Sequence, residues 1–194
     1  MDFIEQYLKE IKEISEAIDK DVVCRFVDEL EKLRDIGGRL FILGVGGSAG
    51  NASHAVNDFR KLAGIETYAP TDNVSEITAR TNDEGWETIF DSYLQTSKLR
   101  KEDCVLILSV GGGDIEKRVS INLCRGIDYS KSIGARVLAI VGKSSGYAHE
   151  FGDICLVIPE VNKSHVTPHS EAFQVVIWHL LVSHPRLKVN DTKW

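Results

Sequence analysis

The sequence predicts an α/β fold with a mostly parallel sheet, and three observations carry that prediction. Continuous apolar runs recur at 39–45 (RLFILGV), 104–110 (CVLILSV), 136–142 (RVLAIVG) and 154–158 (ICLVI), as expected of strands covered on both faces. Segments of helical periodicity separate these runs. Glycine-rich turns follow two of them, and in open parallel sheets ligands bind beyond the carboxyl ends of the strands.

Each element follows in order. Residues 2–35 carry two amphipathic stripes, one through Phe3, Ile4, Tyr7, Leu8, Ile11, Ile14 and Ile18, the next through Val22, Val23, Phe26, Leu30 and Leu33. Gly37 and Gly38 stop this helix pair. After the first strand a helix is expected over 48–62, then a short strand over 66–69 and helix signals near 84–97. The second strand should lead into a helix running from Asp114 towards Ile133, closed by Gly134. A strongly apolar final helix over 170–183 ends before Pro185. With no linker, repeat or low-complexity segment, 194 residues read as one domain spanning 1–194.

The charge balance narrows the function. A net charge of −6 opposes binding to nucleic acid or to an anionic membrane, both of which need a basic surface. No apolar run approaches the ~20 residues of a membrane span, and the opening MDFIEQYLKE is acidic and amphipathic, unlike a signal peptide. Cys24, Cys104, Cys124 and Cys155 are widely spaced and form no CxxC pair, which fits free thiols in a reducing cytoplasm.

Chemistry concentrates at two turns and two helices. GVGGSAGNASH (44–54) and SVGGGD (109–114) each place glycines between a strand and an expected helix, where free N–H groups and the helix dipole attract anions. Ser48 is positioned either to cap its helix or to meet a hydroxylated ligand. Neither turn ends in the GK[ST] of a P-loop, and Ala49 stands where a dinucleotide fingerprint would have its third glycine, so no nucleotide cofactor is expected. Asp114 sits at the expected helix entrance as an N-cap or a ligand contact. His54 and Asp58 share a helix face four residues apart, a spacing compatible with a divalent metal. The final helix adds Glu171 and His179, and His179, flanked by Trp178 and Leu180, reads as buried or nearly so. Glu171 and His179 are eight residues apart, a rise of ~12 Å, so action of all four together points to a subunit interface. Asp72, Asn82 and Asp83 fall in the TDN and TND turns, while His149, His165, His169 and His184 receive no role.

Together, GVGGSAGNASH with Asp58, the TND turn, SVGGGD, and the helix carrying Glu171 and His179 resemble the sugar isomerase (SIS) domain family, with the phosphoheptose isomerases the nearest likeness. The resemblance implies a three-layer αβα sandwich with a five-stranded parallel sheet and a tetramer with active sites between subunits, the helices of residues 1–36 serving oligomerisation. It implies aldose–ketose isomerisation of sedoheptulose 7-phosphate or a related sugar through an enediol. Asp58 and His179 match its catalytic positions, and His54, Asp58, Glu171 and His179 match its zinc or other divalent-metal cluster. Gly47, Ser48, Asn82, Asp83, Ser109, Gly111, Gly112 and Asp114 match its sugar-phosphate contacts. Three departures stand out: Val45 replaces an asparagine, Asp58 and Glu171 replace a glutamate and a glutamine, and SVGGGD replaces STSGNS. The alternative is a non-catalytic or divergent SIS protein that binds a different, unphosphorylated sugar, with Asp114 contacting it.

Overall fold

The computed structural model describes residues 2–192. Five parallel strands lie in the order β2-β1-β3-β4-β5. They are β1 (Leu40–Gly44), β2 (Thr67–Tyr68), β3 (Cys104–Ser109), β4 (Arg136–Val141) and β5 (Ile154–Val157). The pairing of Leu40 with Cys104 and of Cys104 with Arg136 sets β1, β3 and β4 in one register. The chain leaves β1 towards β2 on one side and returns to β3 on the other. The topological switch therefore lies between the carboxyl ends of β1 and β3, where both glycine turns fall.

Alternate residues of the buried strands face two separate cores, which makes the molecule a three-layer αβα sandwich. Leu40, Ile42, Leu106 and Leu108 pack against α1 (Phe3–Ala17), α2 (Lys20–Asp35), α3 (Gly47–Lys61) and α8 (Val166–Ser183). Phe41, Leu43, Val105 and Ile107 pack against α5 (Ile89–Thr96), α6 (Ile121–Ile133) and α7 (Tyr147–Phe151). Asp19 caps α2 by accepting from the N–H groups of Asp21 and Val22. The expected stripe of α1 is covered only in part: Ile14 is buried, while Phe3, Ile4 and Leu8 are exposed. Among the described residues no helix is long and apolar enough to cross a membrane.

Three expectations are corrected. Helix α4 (Val74–Asp83) was not anticipated, because it buries no residue and so shows no apolar stripe to read. The TND residues are consequently the end of a helix rather than a free turn. The helix expected from Asp114 begins only at Ile121, and α8 starts at Val166, ahead of the expected 170.

Asp103, just before β3, ties the two central strands together from below. Its side chain is fully buried and accepts from the Arg39 guanidinium at 2.6 Å, and from the N–H groups of Arg39 and Arg100 at 3.0 and 2.9 Å. Burial alone would raise this carboxyl, but the arginine and backbone hydrogen bonds outweigh it and hold the group below its ordinary range. A carboxylate with a lowered native pKa adds stability that is complete above its unfolded value of about 4 and is lost as pH falls through the native value. Asp103→Asn should therefore cost about 3 kcal/mol near neutral pH. In urea denaturation the variant should also lose less further stability than the wild type below pH 4.

Candidate functional site

The first glycine turn is shaped by what surrounds it. Gly46 precedes α3 with φ at +63°, a conformation open to glycine. A Cβ on Gly44 would stand 2.5 Å from the Ser48 carbonyl oxygen, and one on Gly47 would stand 2.5 Å from Glu171 Oε2. The Glu171 carboxylate thus lies against the first turn of α3, where the helix dipole favours an anion. Ser48 neither caps α3 nor faces solvent: it is buried, and its Oγ accepts from Gln174 Nε2 at 3.1 Å. The N-cap position is taken by Gly46, two residues before Ser48, which already lies inside the helix.

Side-chain amides then set α8 against α3. Asn51 Nδ2 donates to the Glu171 carbonyl and to Gln174 Oε1, both at 2.9 Å. In this register His54 and Asp58 of α3 meet His179 of α8. Asp58 Oδ2 lies 3.9 Å from His54 Nε2 and 3.5 Å from His179 Nε2, while Asn57 Nδ2 holds Oδ1 at 2.8 Å. The three donor atoms lie within 4.8 Å of one another, close enough to share one ion. Two imidazoles and a carboxylate with its second oxygen already held form a donor set that fits zinc or a similar divalent metal. The Trp178 ring packs behind both imidazoles, 4.7 Å from His54 and 3.6 Å from His179.

His179 is not buried as its neighbours implied. Its side chain is 45% exposed, because α8 turns Trp178 inward and leaves His179 and Leu180 outward. Partial burial lowers its pKa; the Asp58 carboxylate opposes that shift and His54 adds to it, so the neutral ring is favoured. Of the four residues expected to act together, three converge. Glu171 lies apart at Gly47, as an eight-residue offset along a straight helix requires.

The second glycine turn is a loop rather than a helix entrance. Gly112 and Gly113 have φ of +76° and +87°. The carbonyls of Gly112 and Gly113 accept from the N–H groups of Ala148 and Tyr147, and that of Val110 accepts from Gly142 N–H, all at 2.9 Å. The Gly112 N–H, expected to be free for phosphate, donates to Ser109 Oγ at 3.0 Å. Asp114 caps no helix. Its backbone exchanges two 2.9 Å hydrogen bonds with Val119, and its carboxylate accepts from Lys117 N–H at 2.9 Å and Lys117 Nζ at 2.7 Å. These bonds from Lys117 hold the carboxyl below its ordinary range. A short aspartate side chain that bonds its own neighbouring backbone offers the chain a turn in place of a helix. Asn82 and Asp83 are exposed on the last turn of α4, and Asn82 Nδ2 donates to Asp83 Oδ1 at 2.7 Å.

Sequence reasoning missed a second convergence. Glu10 Oε2 lies 2.7 Å from His165 Nδ1 and 2.8 Å from His169 Nε2. The carboxylate and the imidazoles come from opposite ends of the chain, and the one local signal was the four-residue spacing of the two histidines.

No family model matches the chain. Over 155 residues it is 32% identical to the lincomycin biosynthesis protein LmbN of Streptomyces lincolnensis; the match covers 76% of this chain, which spans 56% of that protein. Over 187 residues it is 27% identical to a phosphoheptose isomerase of Trichlorobacter lovleyi, covering 92% of this chain and 90% of the relative. A solved phosphoheptose isomerase from Neisseria gonorrhoeae superimposes with a TM-score of 0.79 at 19% identity, covering 92% and 94% of the two chains. The fold is therefore that of the phosphoheptose isomerases.

The two close glycine approaches differ in what they press against, and this is testable. Gly44→Ala drives a methyl group into the Ser48 backbone and should cost about 1–3 kcal/mol. Gly47→Ala meets only the end of a flexible side chain, so its stability should stay within about 0.5 kcal/mol of wild type while Glu171 swings away. Urea midpoints of the two variants check both values.

Proposed function

We propose that this chain, a SIS-domain protein related to the phosphoheptose isomerases, interconverts sedoheptulose 7-phosphate, or a closely similar sugar phosphate, with its aldose. The observation that carries the reading is the meeting of His54, Asp58 and His179 at the α3–α8 contact, in a chain with curated relatives named for this activity over nine-tenths of its length. The free cysteines accord with a cytoplasmic enzyme.

The reaction needs one proton moved between adjacent carbons and one between their oxygens, with no net oxidant. Asp58 accepts the proton from the carbon beside the carbonyl and returns it to the neighbouring carbon through an enediol. Its Oδ1 is held by Asn57, so Oδ2 is aimed consistently. His179, kept neutral by partial burial, carries the proton between the two oxygens. A divalent metal at the His54, Asp58 and His179 cluster would supply Lewis-acid polarisation of the carbonyl, with Asp58 Oδ2 and His179 Nε2, which would also bind it, free of the ion while they carry protons.

Asp58 stands eleven residues beyond Gly47, ~16 Å along the helix axis. A seven-carbon sugar phosphate cannot reach from the glycine turns to the cluster of its own subunit over that span. The reading therefore includes a homo-oligomer, a tetramer by family resemblance, in which the cluster of one subunit completes the sugar-phosphate contacts of another. The uncovered apolar face of α1, with Phe3, Ile4 and Leu8, supports this assembly.

Purified chain supplied with zinc should convert sedoheptulose 7-phosphate to the aldose; binding without turnover would favour a non-catalytic sugar-binding role. Asp58→Asn and His179→Ala should each lower kcat by about 10²–10⁴-fold. Asp58→Glu restores a methylene and should raise kcat, by up to ~100-fold if the shorter side chain leaves the base about 1 Å from its best position.

A further inference from the structure

The isomerase reading leaves one buried carboxylate unused. Glu10 on α1 is 1% exposed, and four donors converge on it. Gln6 Nε2 and Asn162 Nδ2 donate to Oε1 at 2.9 and 2.7 Å; His165 Nδ1 and His169 Nε2 stand 2.7 and 2.8 Å from Oε2. Gln6 and Asn162 are neutral amides, and the ion-pair partners of Glu10 among the described residues are the two histidines alone. A carboxylate withdrawn from water holds its charge through hydrogen bonds from its donors or beside a cation.

The surroundings have the form of a coordination shell. His165 and His169, four residues apart at the start of α8, turn their rings onto one face with centroids 5.8 Å apart. Tyr7 packs 5.4 Å from His165 and 4.6 Å from His169, which fixes both rings. The two ring nitrogens and Oε2 lie within 4.8 Å of one another. The second carboxylate oxygen is held by the two amides, the arrangement that orients a ligating carboxylate. His169 is 3% exposed, its Nε2–H donates to Glu10 Oε2 and its Nδ1 has no partner, so an ion at Nε2 would take the place of that proton and leave the ring in its Nδ1–H form. Tetrahedral ligands at metal bonds of about 2.0–2.1 Å stand ~3.3 Å apart, so the two nitrogen–oxygen gaps of 2.7 and 2.8 Å would each open by about half an ångström to admit an ion. The His165 side chain, 21% exposed, marks the side from which an ion and a fourth, water ligand would enter.

We propose that Glu10, His165 and His169 form a second divalent-metal site, of the nitrogen-and-oxygen class that suits Zn²⁺, which clamps the N-terminal helix to the start of α8. Hard ions such as Mg²⁺ and Ca²⁺, which prefer all-oxygen shells, are poor occupants. Equilibrium dialysis of the full chain against micromolar Zn²⁺, followed by elemental analysis, tests the site without reference to activity. A His54→Ala/His179→Ala background removes the α3–α8 cluster and separates the two sites. That background should hold one Zn²⁺ per chain, and adding either His165→Ala or Glu10→Gln should weaken binding at least tenfold. Zn²⁺ at a hundredfold excess over the background protein's Kd should raise that protein's Tm by roughly 5–10 °C and, at the same concentration, raise the Tm of the His165→Ala form by at most about half as much. Circular dichroism checks that the His165→Ala form, altered at a partly exposed position, is still folded. A background protein that holds no zinc, or zinc binding untouched by both substitutions, overturns the proposal and leaves the cluster a hydrogen-bonded latch.

Discussion

Registration of α8 on α3 by the amides of Asn51 and Gln174 is the constraint on which the candidate site depends. Gln174 is fully buried: its oxygen takes an N–H from Asn51 and its nitrogen reaches Ser48 Oγ. Leaving buried polar groups of this kind unpaired costs about 1–3 kcal/mol each, so the helices cannot slide past one another cheaply. One to two turns further along, that fixed register brings His54, Asp58 and His179 to one place. The same ladder presses Glu171 onto Gly47 at the opening turn of α3. One contact thus governs both ends of the α3–α8 seam.

The parts of the fold that were legible in the sequence were those whose burial is decided locally. The runs at 39–45, 104–110, 136–142 and 154–158 each became a strand within about a residue of the expected ends, because a strand covered on both faces must be apolar throughout. Helix α4 was illegible for the opposite reason, since it buries nothing and leaves no pattern. The segment after Ser109 misled because Asp-Ile-Glu-Lys reads as a capped helix start. In the folded chain Arg118 and Ser120 take φ of +53° and +50°, and Asp114 closes on Val119 before the helix can begin. The pairing of His54 with Asp58 was visible as a helix spacing, and His179 was visible as chemistry in an apolar run. Their common meeting point was expected only through the family resemblance, because it is set by the α3–α8 ladder and leaves no local pattern. Glu10 was hidden more completely, since its histidines lie at the far end of the chain.

The two glycine turns serve different ends. The first lets backbone and carboxylate approach more closely than any side chain would allow, at Gly44 and Gly47. The second keeps the outline of a phosphate cradle but turns its carbonyls onto the start of α7 and its Gly112 N–H onto Ser109. Asp114 does not stand as a bare charge at this loop, because Lys117 answers it within one turn. The cleft of about 330 Å³ beside it is walled by Gly113, Asp114, Lys117, Tyr147 and Phe151, and Ser109, Gly111 and Gly112 take no part in its lining. The anion that looks most hostile to a sugar phosphate in the sequence is therefore tied to a cation of its own loop.

The central claim is that the α3–α8 cluster moves a proton through an enediol. Incubating the chain with sedoheptulose 7-phosphate in D₂O and following the carbon-bound hydrogens by NMR tests that step directly. Solvent deuterium is expected at the two adjacent carbons between which the carbonyl moves, at a rate that collapses in Asp58→Asn with the fold intact. Absence of both deuterium incorporation and aldose from zinc-loaded wild-type protein, or incorporation that Asp58→Asn leaves unchanged, would contradict it.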